Sequence, residues 1–219
     1  MSHQRTIAIG DIHGCSTALE SLVRLIAPQS SDTLVMLGDY VDRGIDSKGV
    51  LDQLIALTSR CNLVPILGNH DQMMLNARNG RADFQFWLNC GGDAALDSYG
   101  SSSQLSLIPP RHFLFLESCR SYFETDTHIF AHANYRPEVP LDQIDDHTLR
   151  WLSLDHVPSS LHCSGKIFVV GHTPQPEVLD IGHLICIDTD CCNGGWLTAM
   201  EVNTMQVWQV NETGIGNCG

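Results

Sequence analysis

Five short apolar runs in this 219-residue chain are each closed by polar residues of the kinds that hold metal ions. Thr6–Ile9 runs into Gly10-Asp11-Ile12-His13-Gly14, and Thr33–Leu37 into Gly38-Asp39-Tyr40-Val41-Asp42-Arg43-Gly44. Leu63–Leu67 is followed by Gly68-Asn69-His70-Asp71, His128–Ala131 by His132-Ala133-Asn134, and Ile167–Val170 by Gly171-His172-Thr173-Pro174. An unbroken apolar run of this length, bounded by glycine, reads as a strand buried on both faces. Between the first three runs lie stretches with helical spacing. One is Leu19, Leu22, Val23 and Ile26, ended by Pro28, with a capping box expected from Thr17 and Glu20. The other is Val50, Leu51, Leu54 and Ile55, with Asp46 or Ser47 near its N-cap. Alternating strand and helix implies a parallel sheet with right-handed crossovers, whose ligands gather beyond the carboxyl ends of the strands. Asp11, His13, Asp39, Asn69, His70, His132 and His172 therefore face one rim.

These donors are oxygen and imidazole with no thiolate, which suits Mn, Fe or Zn rather than Cu(I) or an iron–sulfur cluster. They are too many for one tetrahedral site. Two divalent ions sharing a carboxylate would use them, and Asp39, in the middle motif, is the natural bridge. A lone Gly-Asp turn is ordinarily a cap, and a lone histidine after a strand ordinarily a structural residue. His3, His112, His128, His147, His156, His162 and His183 are placed in that second group.

Composition narrows the class further. The net charge of -13 argues against nucleic acid or an anionic membrane as partner. No apolar run approaches the roughly 18 residues of a membrane span, and Met1 to Arg5 leads into the first strand without room for a signal peptide. Nine cysteines from Cys15 to Cys218, with no Cys-x-x-Cys pair, read as reduced thiols of a cytoplasmic protein, although Cys191-Cys192 is a candidate for redox sensitivity. The middle third is less periodic. Phe84, Phe86, Trp87 and Leu88 read as a buried helical segment, Ser101-Ser102-Ser103 as a loop, and Pro109-Pro110 as a helix start. Further strands are expected near Tyr122 and over Leu184–Ile187, Leu197–Val202 and Val207–Val210. With no repeat or linker, residues 1–219 are expected to form one α/β domain with a pair of mixed sheets.

The five blocks, together with Gln72-Met73-Met74, Trp87-Leu88-Asn89 followed by Gly91-Gly92, and Ile187-Asp188-Thr189, resemble the signatures of calcineurin-like metallophosphoesterases. Within them the chain looks like the PPP-type serine/threonine protein phosphatases, and especially the small bacterial and bacteriophage lambda-type enzymes. The resemblance spans about Ile7 to Val202. It implies mixed β-sheets packed as a sandwich flanked by α-helices. It also implies two divalent metal ions, Mn foremost with Fe or Zn as alternatives: Asp11 and His13 on the first, Asn69, His132 and His172 on the second, and Asp39 bridging. Arg43 would grip the substrate phosphate, assisted by Asn69, while His70 would protonate the leaving alkoxide with Asp42 orienting it. The implied reaction is hydrolysis of serine or threonine phosphate monoesters by direct attack of a metal-bound hydroxide, on a phosphoprotein or a small phosphomonoester, by a monomer.

Three departures stand out. Asp71 replaces the usual Glu, with a modest effect expected. The family's second arginine is missing after Trp151, which leaves Arg150 as the candidate phosphate ligand. Asp190-Cys191-Cys192 replaces the glycine expected after Thr189. Two other functions compete. A symmetrical bis(5'-nucleosyl)-tetraphosphatase would share fold and metals but usually has alanine in place of Asp42, whereas Gly-Asn-His-Asp leans toward it. A non-catalytic metal-binding scaffold is disfavoured by the retention of His70 and Arg43.

Overall fold

The computed structural model describes residues 4–101 and 103–217, so His3, Ser102, Cys218 and the first residues of the chain lie outside the description. The first half runs β1 (Thr6–Ile9), α1 (Ser16–Ile26), β2 (Thr33–Met36), α2 (Ser47–Leu57), β3 (Asn62–Pro65), α3 (Asn69–Asn76), α4 (Arg81–Trp87), α5 (Asp93–Ser98) and α6 (Pro110–Glu117). The second half runs β4 (Tyr122–Glu124), β5 (His128–Ala131), α7 (Asp146–Trp151), β6 (Ile167–Val170), β7 (Leu179–Asp180), β8 (Leu184–Cys186), β9 (Asp188–Thr189), β10 (Trp196–Glu201) and β11 (Gln206–Val210). One sheet has the order β11-β10-β1-β2-β3, with β9 also on β10, and the other β4-β5-β6-β8-β7. Each has a parallel set, β1/β2/β3 with antiparallel β10 and β11 on its β1 side, and β5/β6/β8 with antiparallel β4 and β7 on its two sides, so both sheets are mixed.

Strand alternation explains the unbroken apolar runs. Successive side chains point to opposite faces. Ala8, Val35, Leu37, Val64, Phe130, Val169, Ile185 and Ile187 meet between the sheets. Ile7, Ile9, Leu34 and Met36 pack outward on α1 and α2. Ile129, Ala131, Phe168, Val170 and Leu184 pack outward on Tyr135, Ile144 and Leu149. With both faces covered there is no polar position to interrupt the run, and polarity begins only where the strand ends.

Several local expectations change. α1 starts at Ser16 behind Cys15, which makes no side-chain cap, so the Thr17–Glu20 capping box does not form and Glu20 pairs with Arg24 instead. Asp46 is the cap of α2, accepting the Gly49 N–H at 2.9 Å. Pro110 opens α6 as expected. In α4 Trp87 is fully buried but Phe86 is 56% exposed. The short strands β7 and β9 carry no sequence signal. Among the described residues, no helix is long and apolar enough to cross a membrane.

The two sheets bring their strand tips together at Gly38, which has φ +105. An added Cβ there would lie 2.6 Å from the Gly68 nitrogen and 2.9 Å from His132 Nδ1, so three motifs converge on this one position. Gly38→Ala combines a left-handed conformation, costing roughly 1–2 kcal/mol for a residue with a Cβ, with these contacts. Urea unfolding should show a loss of at least about 2 kcal/mol. An unchanged midpoint would mean that the strand tips separate freely.

Candidate functional site

Asp39 holds the centre of the site. Its φ of 50 turns the chain sharply after β2 and exposes its carbonyl, which accepts the N–H groups of Ile12 at 3.1 Å and His13 at 2.9 Å. Its own N–H donates to Asp71 Oδ2 at 2.8 Å, while the Asp71 carboxylate also accepts the Tyr40 and Gly68 N–H groups, each at 3.0 Å. The His70 N–H donates to Asp39 Oδ1 at 3.0 Å. Fixed in this way, the Asp39 carboxylate lies between two imidazoles. Oδ2 is 3.4 Å from His13 Nε2 and Oδ1 is 3.4 Å from His132 Nε2. Two groups of metal-type donors share Asp39, namely His13, Asp39 and His70, and Asp39, His132 and His172.

Three histidines are oriented by backbone carbonyls. His13 Nδ1 lies 2.9 Å from the Val41 carbonyl, His132 Nδ1 2.8 Å from that of Leu37, and His172 Nε2 3.1 Å from that of Trp151. Each of those nitrogens donates, so the other ring nitrogen offers its lone pair to the site, the arrangement expected of metal-ligating imidazoles. Asn69 Oδ1 lies 2.9 Å from His132 Nε2 and 3.1 Å from His172 Nδ1. These acceptor atoms converge on one point, and a cation satisfies them together. The chemistry of the donor set therefore fits a divalent metal.

Electrostatics agrees with that fit. Burial is the largest influence on His13, His70 and His172, and it pushes them down to about 3, 4 and 4, aided by neighbouring cationic groups. Neutral imidazoles are the form that binds metal. Burial also opposes the charged form of His132, but the adjacent Asp39 carboxylate raises it above its ordinary value. Asp39 is itself held well below the usual carboxylate range by His132 and His70, despite its burial.

Asp11 stands beside these groups rather than inside either. Its carboxylate accepts the His172 N–H at 3.1 Å, and burial together with Asp188 and Asp39 raises its pKa well above normal. Arg43, exposed at the rim, donates from one nitrogen to His13 Nε2 at 3.0 Å and from another to His70 Nε2 at 2.9 Å. His70 differs from the other histidines in having a carboxylate behind it, with Nδ1 2.8 Å from Asp42 Oδ2. Asn134 is turned away, its amide donating to the carbonyls of Ser153 and His156.

Arg150 does not supply a second phosphate arm. It is buried, with Nε donating to the Leu67 carbonyl at 3.1 Å, one terminal nitrogen to Gln72 at 2.7 Å and the other to Ser121 at 3.2 Å. It braces the third motif from behind.

Three residues that the sequence offers only within the blocks of the resemblance, with no role assigned, contribute to the site. Trp87 Nε1 donates to Asp42 at 2.9 Å, and the Gly91 carbonyl accepts the Arg43 N–H at 3.1 Å, so the poorly periodic middle of the chain buttresses the second motif. Asp188 is buried and pushed up to about 6, first by that burial and also by Asp39. Its signal was a sixth apolar run, Leu184–Ile187, ending directly in an acid without a glycine.

Comparison with known proteins identifies the family. The family model described as calcineurin-like phosphoesterase matches residues 4–202. The serine/threonine-protein phosphatase 1 of Salmonella typhimurium is 33% identical over 204 residues, covering 89% of this chain and 90% of the relative. A symmetrical bis(5'-nucleosyl)-tetraphosphatase of an Acidovorax species is 45% identical, but over only 73 residues, 33% of this chain and 25% of that protein. The crystal structure of a cold-active protein-tyrosine phosphatase from a Shewanella species superposes with a TM-score of 0.67 at 18% identity, over 98% of this chain and 80% of that one. The chain belongs to the calcineurin-like phosphoesterases, and it is a phosphoester hydrolase with the mixed two-sheet α/β fold of that family.

Trp87→Phe keeps a ring in place but removes the donor facing a fully buried carboxylate. An unsatisfied buried acceptor costs about 1–3 kcal/mol. Denaturant unfolding should report a loss in that range, and a smaller change would show that Asp42 finds another donor.

Proposed function

We propose that this calcineurin-like phosphoesterase is a dinuclear-metal serine/threonine phosphoprotein phosphatase. The observation that carries the proposal is the buried Asp42–His70 pair, secured by Trp87. An alkoxide is a poor leaving group and needs a proton as the P–O bond breaks, whereas the phosphate released from an anhydride needs one far less. A histidine backed by a carboxylate suits the ester. The Salmonella relative named as a serine/threonine phosphatase, matched over nearly its whole length, supports the same reading.

In this proposal Asp11, His13 and Asp39 hold one cation, and Asp39, Asn69, His132 and His172 the other, with Mn foremost and Fe or Zn as alternatives. Bound there, divalent ions supply an activated water and charge that neutralises the phosphoryl oxygens. Arg43 offers its planar fork to two phosphate oxygens, and the Gly91 carbonyl fixes its backbone. Asn69 is proposed to assist at the same phosphate. A dianionic phosphate next to Arg43 raises the proton affinity of His70 Nε2, so the acid is loaded by its own substrate. Asp42 keeps the ring in register and stabilises its charged form. The enzyme is proposed to act as a monomer in the cytoplasm on phosphoproteins or small phosphomonoesters.

Hydrolysis of dinucleoside tetraphosphates is the second reading. It is favoured by the Acidovorax relative and by Asp71 after Asn69-His70. One assay series with added Mn²⁺ separates the two, using a phosphoserine/phosphothreonine peptide, a phosphotyrosine peptide and diadenosine tetraphosphate. Turnover of the phosphoserine/phosphothreonine peptide is expected, and turnover of the dinucleotide alone would sink the proposal. Asp42→Ala should slow alkyl-phosphate hydrolysis by up to the roughly 10²–10⁴-fold that a general acid contributes, with metal content unchanged. Asp39→Asn should abolish stoichiometric binding of two Mn²⁺ ions in a metal analysis, and an unaltered metal count would remove its bridging role.

A further inference from the structure

Arg43 has two neighbourhoods. Its guanidinium reaches inward to His13 and His70, and it also lines a cleft of about 470 Å³ that opens beside the rim. The other walls are residues 14–17 at the start of α1, Gly44 and Ile45, Cys192, and a turn that carries Glu212 and Thr213. Two side chains there stand out. Ile45 is 91% exposed, although it is apolar. Glu212 is exposed, and among the described residues no Lys, Arg or His pairs with it, whereas Glu20, Asp32, Glu117 and Glu124 are each paired. A lone surface carboxylate is ordinarily solvated and idle. The backbone of this one is held. Asn211 Oδ1 accepts the N–H groups of Thr213 at 3.1 Å and Ile215 at 2.9 Å, and the Thr213 hydroxyl at 2.8 Å. Gly214, at φ +83, packs so closely on α1 that an added Cβ would lie 2.3 Å from Ser21 Oγ. On the other wall the Arg43 N–H is tied to the Gly91 carbonyl at 3.1 Å. An acid and a cation on fixed backbones therefore share one cleft.

We propose that this cleft is a substrate subsite beside the phosphate, in which Glu212 receives the cationic head of a lysine or arginine flanking the phosphorylated residue and Ile45 covers its aliphatic stem. The inference rests on the phosphoprotein reading of the site, and it names the substrate class: segments with a basic residue near the phosphoserine or phosphothreonine. Lysine and arginine lay their stems along apolar surface while keeping the charge in water, and an exposed isoleucine in one cleft with an exposed carboxylate offers both. Arg43 repels such a cation while its own charge is unopposed. A dianionic phosphate on Arg43 outweighs that repulsion and leaves the attraction of Glu212, so the basic residue is favoured together with the phosphate. An acidic flanking residue meets Glu212 as a like charge and is rejected. The net charge of -13 draws basic segments at long range, and the cleft fixes where they settle.

The test is steady-state kinetics of the full chain with Mn²⁺ on phosphoserine peptides that differ at a single residue. One arginine is moved in turn through the three positions on each side of the phosphoserine, with alanine and glutamate at the same positions as references. For at least one position, the arginine peptide is expected to exceed the alanine peptide in kcat/KM by roughly three- to tenfold, with the difference residing in KM. The preference should shrink as ionic strength rises. Glu212→Gln should bring the two peptides to parity, Glu212→Lys should favour glutamate over arginine, and Glu212→Asp should keep the arginine preference. A wild-type preference below about twofold at every position, or one that survives Glu212→Gln, overturns the subsite and leaves the phosphoprotein reading intact. Turnover of diadenosine tetraphosphate with none of any phosphopeptide overturns both. Each readout is a ratio between substrates of one enzyme sample, so a reduced folded fraction in a variant cancels.

Discussion

The Asp71 carboxylate ties the site together. Its two oxygens accept the backbone N–H groups of Gly68, Asp39 and Tyr40, which joins the tip of β2 to the start of α3. Burial, together with the neighbouring Asp39 carboxylate, pushes Asp71 up to about 8, and the N–H groups of Gly68 and Tyr40 act against that shift while they hold a backbone segment that would otherwise relax. Asp39 is the residue so restrained, and it touches every other part of the site. Its carbonyl holds the His13 turn, its carboxylate lies between His13 and His132, and one of its oxygens caps His70. Asp71 is therefore the keystone of the rim, because the length of its side chain sets how near the tip of β2 and the start of α3 must come.

The restraint works against strain. His13, Asp39, Asp42, Arg43 and His172 all have positive φ, between 43 and 72. A non-glycine residue in that region costs on the order of 1–3 kcal/mol and persists only where its surroundings over-determine it. Each has such surroundings. Val41 and Trp151 supply carbonyls to His13 and His172, Ser47 Oγ accepts the Asp42 N–H, and Gly91 accepts that of Arg43. The strained turns aim side chains inward from strand ends that would otherwise continue into solvent.

The strands and the first two helices were legible because their cause is local. Burial on both faces forces an apolar run, and its end is visible wherever glycine and a polar residue follow. His13, Asp39, Asn69, His70, His132 and His172 could be gathered on one rim by topology alone, and the structure brings them together. Asp188 was visible in the Ile187-Asp188-Thr189 block but carried no role, because its run ends without the glycine that marks the other strand tips. The roles of Trp87 and Gly91 escaped because they depend on how the irregular segment after α4 folds back on the second motif, a contact without periodicity. Arg150 shows the converse. Beside a tryptophan near the site it has the right chemistry, but its guanidinium is consumed by Leu67, Gln72 and Ser121. Only the path of the chain decides which way such a side chain points.

The four histidines divide by what stands behind them. His13, His132 and His172 lean on main-chain carbonyls, which every amino acid carries, so the residues at 41, 37 and 151 can drift without misaligning a ligand. His70 leans on the side chain of Asp42, which one codon can erase. In a lineage built this way the candidate metal-binding framework is robust to mutation while the proposed proton donor is not. New leaving-group preferences can therefore arise by changing one residue, with the fold and its cations inherited intact.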